Sequence, residues 1–347
     1  MNRRTGNRPT GIAILLCGLI AAGGAIHAAE TQAPDWAYAI PTAADREVNR
    51  APEPDDLTPI SLPGSAFMFT PAEIRGRSRA NPEIQLPPAD WHPGDHPPMP
   101  DIVRIGNLSS GVRACAFCHY PNGKAYPGTA GLQGLPQEYI AQQLRDFRDG
   151  VRDTAEPEKE NVELMIDIAK GMTEEEIEDA SAYYASMEWT PWIRVVETDM
   201  VPKVWNRNGV FYRLEGSDAG TEPIGNRIIE TPENSERTLL RDPRSGFVAF
   251  VPMGAVANGE ELVRNRGGKT MQCGLCHGED LHGLSAVPGI AARSPSYLVR
   301  QLYDIQQGTR HGNMAALMGP VVANLTAEDM LNIAAYTASL PAKASAP

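Results

Sequence analysis

The chain predicts a mostly α-helical fold built from two similar helical units in tandem. Three observations carry this. A C-x-x-C-H run occurs twice, at residues 115–119 and 273–277. Residues then recur in the same register from each motif histidine, His119 and His277. Finally, apolar residues repeat at three- and four-residue spacing at matching places in both copies, the period of a helix with one buried stripe.

Residues 1–28 read as an export signal: Arg3, Arg4 and Arg8 precede an apolar run from Gly11 to about Ile26, and small residues surround Ala28. The run is short for a bilayer span, so cleavage is expected and a retained anchor is the alternative. Cys17 follows Leu16 inside the run, which makes it part of the removed peptide and not a lipid-attachment site. Loss of this segment takes the formal net charge from -12 to -15. Such an acidic chain is a poor nucleic-acid binder. Its acidic residues cluster between Asp153 and Glu163 and between Glu174 and Asp179, a solvated face or a surface that steers a basic partner.

Residues 29–100 are rich in proline, including Pro52, Pro54, Pro87, Pro88, Pro97 and Pro98, and show no sustained period. They read as an extended arm, with Trp91, His92 and His96 in it and both histidines expected to be solvated. Residues 101–190 form the first unit and 255–341 the second. Gly131 and Gly289, Tyr139 and Tyr297, Gln143 and Gln301, and Gly150 and Gly308 are equivalent pairs. A five-residue insertion in the first copy follows, after which Met165 and Met318 each stand eight residues before Thr173 and Thr326. The spacing predicts helices over 136–148 and 295–307. Thr173-x-x-Glu176 and Thr326-x-x-Asp329 predict capped final helices. A further helix is expected near 259–265, with a weaker counterpart near 102–108. Residues 191–254 differ: short β-like segments at 201–205, 210–214, 227–230 and 247–251 suggest a small β-rich insertion.

A C-x-x-C-H run places two thiols to form thioethers with the vinyl groups of a haem, and its histidine to ligate the iron. Cys115, Cys118 and His119 would serve one haem c, and Cys273, Cys276 and His277 a second. A shared four-cysteine zinc site would want the pairs far closer than the 155 residues between Cys118 and Cys273, and would leave both histidines unexplained. A redox dithiol would want a βαβ context that neither copy shows. No metal besides haem iron is expected. The sixth ligand separates an electron carrier from a substrate-binding haem. Met165 and Met318 are the candidates because they share a register, although methionine at such a place also serves as core filling. Met314 and His311 lie close to Met318 in sequence, and Met172, Met271 and Met187 are less well placed.

Two such units, each with a Tyr-x-x-x-Gln-Leu helix, a methionine ahead of a capped final helix and an Ala-x-Tyr in that helix, resemble the dihaem cytochrome c4 family. The second copy is the closer, through Met318-Gly319-Pro320 and Asn324-Leu325-Thr326. In the first, Ala130-Gly131 stands for Pro288-Gly289 and Tyr120 for Gly278. The resemblance implies two cytochrome c class I haem domains in tandem and a periplasmic electron carrier with redox partner proteins, namely a membrane respiratory complex, an oxidase or a dehydrogenase. The arm and insertion are not part of the family pattern. Two other functions compete: a cytochrome subunit fixed to a periplasmic dehydrogenase, and a dihaem peroxidase-like enzyme. The peroxidase would need a displaceable histidine face, and no histidine lies between His119 and His277. A haem enzyme with a cysteine ligand would need a spare cysteine, which the mature chain lacks.

Overall fold

The computed structural model describes residues 1, 33–48, 57–77, 85–265 and 268–342. The export segment and Cys17 lie outside the described residues. In the first unit the stripe at 136–148 forms helix Gln137–Arg148, burying Ile140, Ala141 and Phe147. It meets the final helix Glu174–Ala185, and Thr173 caps that helix by accepting from the Glu176 N–H while Glu176 returns the bond. Ile102, Val103, Val112, Ile168, Ile177 and Tyr184 complete this core. The second unit repeats the plan with Pro295–Gln306 and Ala327–Ser339, the latter capped by Thr326 and Asp329. Its opening helix, Ala255–Val263, crosses the final helix at Gly259. A Cβ at Gly259 would strike the Asn332 carbonyl, so only glycine allows this approach. The counterpart in the first unit is a single turn, Asp101–Arg104.

The periodicity reading misses several helices: short ones at Asp35–Tyr38, Ala43–Val48 and Pro71–Arg75 in the segment expected to be extended, Ser235–Leu239 in the insertion, and one long one. Glu160–Gly171 carries Met165, where the second unit has a 3-10 turn, Ala315–Met318, followed by the short helix Gly319–Val322. Acidic residues dominate its start and face solvent, while Leu164, Met165, Ile168 and Ala169 turn inward. The five-residue insertion breaks the register at this point, which hides the helix from a comparison of the copies.

Between the units, strand Phe247–Val251 pairs antiparallel with Ile229–Pro232 and parallel with Ile193–Glu197. A hairpin, Val204–Arg207 with Val210–Arg213, and a pair, Met200–Pro202 with Thr221–Pro223, accompany this sheet, as does helix Ser235–Leu239. Ala249 and Val251 enter the core of the second unit, together with Ala37 from the N-terminal segment. The described part of the N-terminal arm is held by burial: Leu62, Ile74, Ala89 and Trp91 form a small core of their own against Leu240. His92 is 5% exposed, and its Nε2 hydrogen-bonds to Asp242 Oδ1 at 3.2 Å. The His96 ring is bonded to Asp90 and to the Pro97 carbonyl. The expectation of solvated histidines is therefore corrected, because their carboxylate partners make burial affordable in polar terms.

Candidate functional site

Each C-x-x-C-H run sits on a short helix whose histidine points inward, and each opens onto its own cavity. Helix Cys115–His119 presents Cys115, Cys118 and His119 to the first, which encloses about 1470 Å3 open to solvent at its mouth. Leu132, Leu135, Ile140, Leu144, Leu164 and Ile168 wall it. The His119 Nδ1 donates to the Ala130 carbonyl at 2.8 Å, which fixes the tautomer and leaves Nε2 with its lone pair free to ligate. Burial lowers this imidazole to about 4, so it is neutral, as a metal ligand must be. Met165 lies on the wall of the same cavity.

The second cavity, about 1850 Å3, is lined by Cys273, Cys276, His277 and Met318. His277 Nδ1 donates to the Pro288 carbonyl, again at 2.8 Å, and burial again lowers the imidazole. The replacement of Pro288 by Ala130 thus leaves the hydrogen bond intact, since the acceptor is a backbone oxygen. None of the four cysteines is in a disulfide. Burial pushes the Cys115 thiol up to about 12 and the Cys273 thiol up to about 11, the opposite of an activated thiolate.

Met314 also lines the second cavity, although it is 45% exposed, whereas His311 does not line it and bonds through Nδ1 to the Gly308 carbonyl. His282 bonds to the Pro341 carbonyl. His92 and His96 line neither cavity.

The wall between the cavities is a feature the sequence did not announce. Tyr139, Gln143, Tyr297 and Gln301 line both spaces. Arg152 donates to Gln143 Oε1 at 2.9 Å, to Tyr297 Oη at 3.0 Å and to Gln301 Oε1 at 3.2 Å. Arg310 mirrors it, donating to Gln301 Oε1 at 3.1 Å, Tyr139 Oη at 3.0 Å and Gln143 Oε1 at 2.9 Å. Arg152 and Arg310 also pair as an antiparallel bridge. Nearby, Arg293 stacks on Trp189 at 3.7 Å, and Arg300 donates to the Ala37 and Pro127 carbonyls. Among the described residues none of these four buried arginines has a carboxylate within 4.0 Å. Burial pushes Arg293 down to about 9 and lowers Arg300 in spite of Glu230 and Asp304, whereas at Arg310 burial is outweighed by the Tyr139 and Tyr297 hydroxyls and Asp304, which hold it above its ordinary value. Buried arginines usually have partners. Two apolar cavities, each with a neutral histidine, a methionine and paired thiols, and with buried arginines beside them that are bonded to neutral acceptors, suit a large flat group that carries carboxylates. Haem meets that description, so the residues fit it.

No family model matches the chain. It is 40% identical to cytochrome c-554(548) of Halomonas halodenitrificans over 19% of this chain and 82% of that protein. It is 37% identical to cytochrome c4 of Azotobacter vinelandii over 24% of this chain and 38% of the relative. The thiosulfate dehydrogenase electron acceptor of Stutzerimonas stutzeri aligns over 70% of this chain and 86% of its own length at 23% identity. Among solved structures, cytochrome c4 from Pseudomonas stutzeri aligns over 65% of this chain and 93% of its own, with 19% identity and a TM-score of 0.42. The motifs and the matched relatives together place this protein: the chain belongs to the class I c-type cytochromes, whose cofactor is covalently bound haem c.

Proposed function

We propose that the chain is a dihaem electron carrier of the periplasm, with haem domains at about 101–190 and 255–341, a proline-rich arm before them and the 191–254 insertion between them. Thioether links at Cys115 and Cys118, and at Cys273 and Cys276, would hold the two haems. His119 with Met165, and His277 with Met318, would supply the protein ligands of the two irons. When bound, each haem supplies a one-electron couple, and thioether sulfur favours its ferrous state. The chain's part is to orient and to exclude. The carbonyls of Ala130 and Pro288 hold the imidazoles, the walls are apolar, and Arg152 and Arg310 would offer positive charge to carboxylates between the cavities.

The observation that carries this reading is the repeated presence of a carbonyl-anchored histidine and a methionine in the lining of one apolar cavity. Visible and near-infrared spectroscopy with potentiometry on the exported holoprotein tests it. Two low-spin haems per chain with the far-red methionine-to-ferric-iron band are expected. A high-spin haem that takes up cyanide or peroxide would overturn the carrier reading and favour a peroxidase-like enzyme.

A second reading has its own support, in a relative named as the electron acceptor of a thiosulfate dehydrogenase. In that reading the chain takes electrons from a periplasmic dehydrogenase, either in passing or as its bound subunit. Affinity capture from native membranes separates these, since a bound subunit brings its dehydrogenase in fixed ratio. Export by the N-terminal segment underlies both readings. Among the described residues no helix is long and apolar enough to cross a membrane.

A further inference from the structure

The residue just before the second cysteine of each motif meets opposite surroundings. Leu275 is 64% exposed. With Met271, Met314 and Leu317, also exposed, it makes an open apolar rim to the second cavity beside the exposed Cys276. Its counterpart Phe117 is half-buried, overlaid by two segments that have no equivalent on the second unit. From the arm, Gly76 turns so close, at φ +69, that a Cβ there would lie 2.5 Å from the Phe117 ring. From the insertion, the Arg241 guanidinium sits 4.2 Å from the Phe117 centroid, and 5.3 and 5.7 Å from those of Tyr126 and Tyr120. Such contacts hold a cation by the ring quadrupole.

The placement of Arg241 is built. Its φ of 62 is left-handed for a residue with a side chain, a conformation that persists only where its surroundings impose it. On one side Trp91 Nε1 donates to the Leu240 carbonyl at 2.7 Å. On the other, Asp242, fully buried, is bonded to His92, to the Arg244 N–H and to Arg237. Arg244 pairs in turn with Asp95 of the arm. Arm and insertion therefore clamp the loop from 240 to 242 and press its arginine onto the first motif.

We infer that the arm and the insertion form a fixed cap over the cysteine-bearing edge of the first cavity, which screens a haem held there from water and outside molecules. The open rim of the second cavity is then the side where external donors and acceptors exchange electrons, one at a time and with no atom transferred. The inference rests on the proposed reading of both motifs as haem sites. The Arg241 charge beside Cys118 adds a second effect, since a nearby cation favours the less positive, ferrous state.

The test uses the full-length exported holoprotein in its reduced, diamagnetic state, with a neutral gadolinium chelate as a solvent-borne relaxation probe. Two sets of haem proton resonances are expected, one strongly relaxed and one protected. In Arg241→Ser the protected set should lose most of its protection and the corresponding haem should show a lower potential, while the relaxed set stays as it was. Equal relaxation of both sets in the unaltered protein would overturn the cap, as would an Arg241→Ser protein whose protected set stays protected. The first comparison needs no variant, so a folding defect in Arg241→Ser does not spoil it. Haem content of the same sample keeps the two readings apart: one haem per chain sinks the dihaem reading, whereas two haems equally exposed sink the cap alone.

Discussion

The two halves of the chain reach the same local chemistry by different construction. Both anchor the motif histidine on a carbonyl eleven residues on, and both open the last helix with a capping box. Yet the first presents its methionine from a twelve-residue helix and the second from a 3-10 turn, and the first is roofed where the second is bare. What backbone atoms do survives substitution, as Ala130 for Pro288 shows. What side chains do, at Phe117 and Leu275, is free to diverge.

The strongest way to break the comparison is to delete one motif at a time. Cys115→Ala with Cys118→Ala, or Cys273→Ala with Cys276→Ala, should each halve the haem content measured as pyridine haemochrome; loss of both haems from either variant would mean that the halves do not load independently. Next, Met165→Ala and Met318→Ala should each remove about half of the far-red band and lower one of two potentials. A spectrum unchanged by either would reject that methionine as a ligand. The roof has a stability signature. Trp91→Ala should cost about 3–5 kcal/mol in urea unfolding, as for other buried aromatic truncations. Leu275→Ala, on the bare rim, should stay within about 0.5 kcal/mol. The shared caps should respond alike, Thr173→Ala and Thr326→Ala each costing about 1 kcal/mol.

The smallest effect is a pH slope confined to the roofed half. Burial of His96 opposes its charge, but the Asp90 carboxylate and the Pro97 carbonyl outweigh it and hold its pKa above the ordinary value. The cationic form therefore stabilises the arm fully below about pH 6.5, and that contribution is lost as pH rises through the higher folded value. Protection from hydrogen exchange in residues 85–100, taken relative to the intrinsic base-catalysed rate at each pH, should fall between about pH 6 and pH 8, and His96→Gln should flatten that fall.

Much of this was legible in the sequence. The helices at 137–148 and 295–306 follow from apolar spacing, and the caps from Thr and an acid three residues on, because these are local patterns. The motif cysteines and histidines needed only their spacing. Helix Glu160–Gly171 was hidden, since its acidic start masks the inward face of Leu164 and Ile168. The burial of His92 depends on Asp242, 150 residues away, and the arginine wall on partners in opposite halves. No window along the chain contains either. Arg241 in particular carries no local sign of its aromatic seat.

That wall has a further meaning. Arg152 serves the tyrosine of the second half and Arg310 that of the first, so one patch meets a copy of itself. This is the isologous contact of a two-fold homodimer, written into a single polypeptide. A half expressed alone would present an unsatisfied, self-complementary face, and joining the halves covalently replaces a concentration-dependent association with a permanent one.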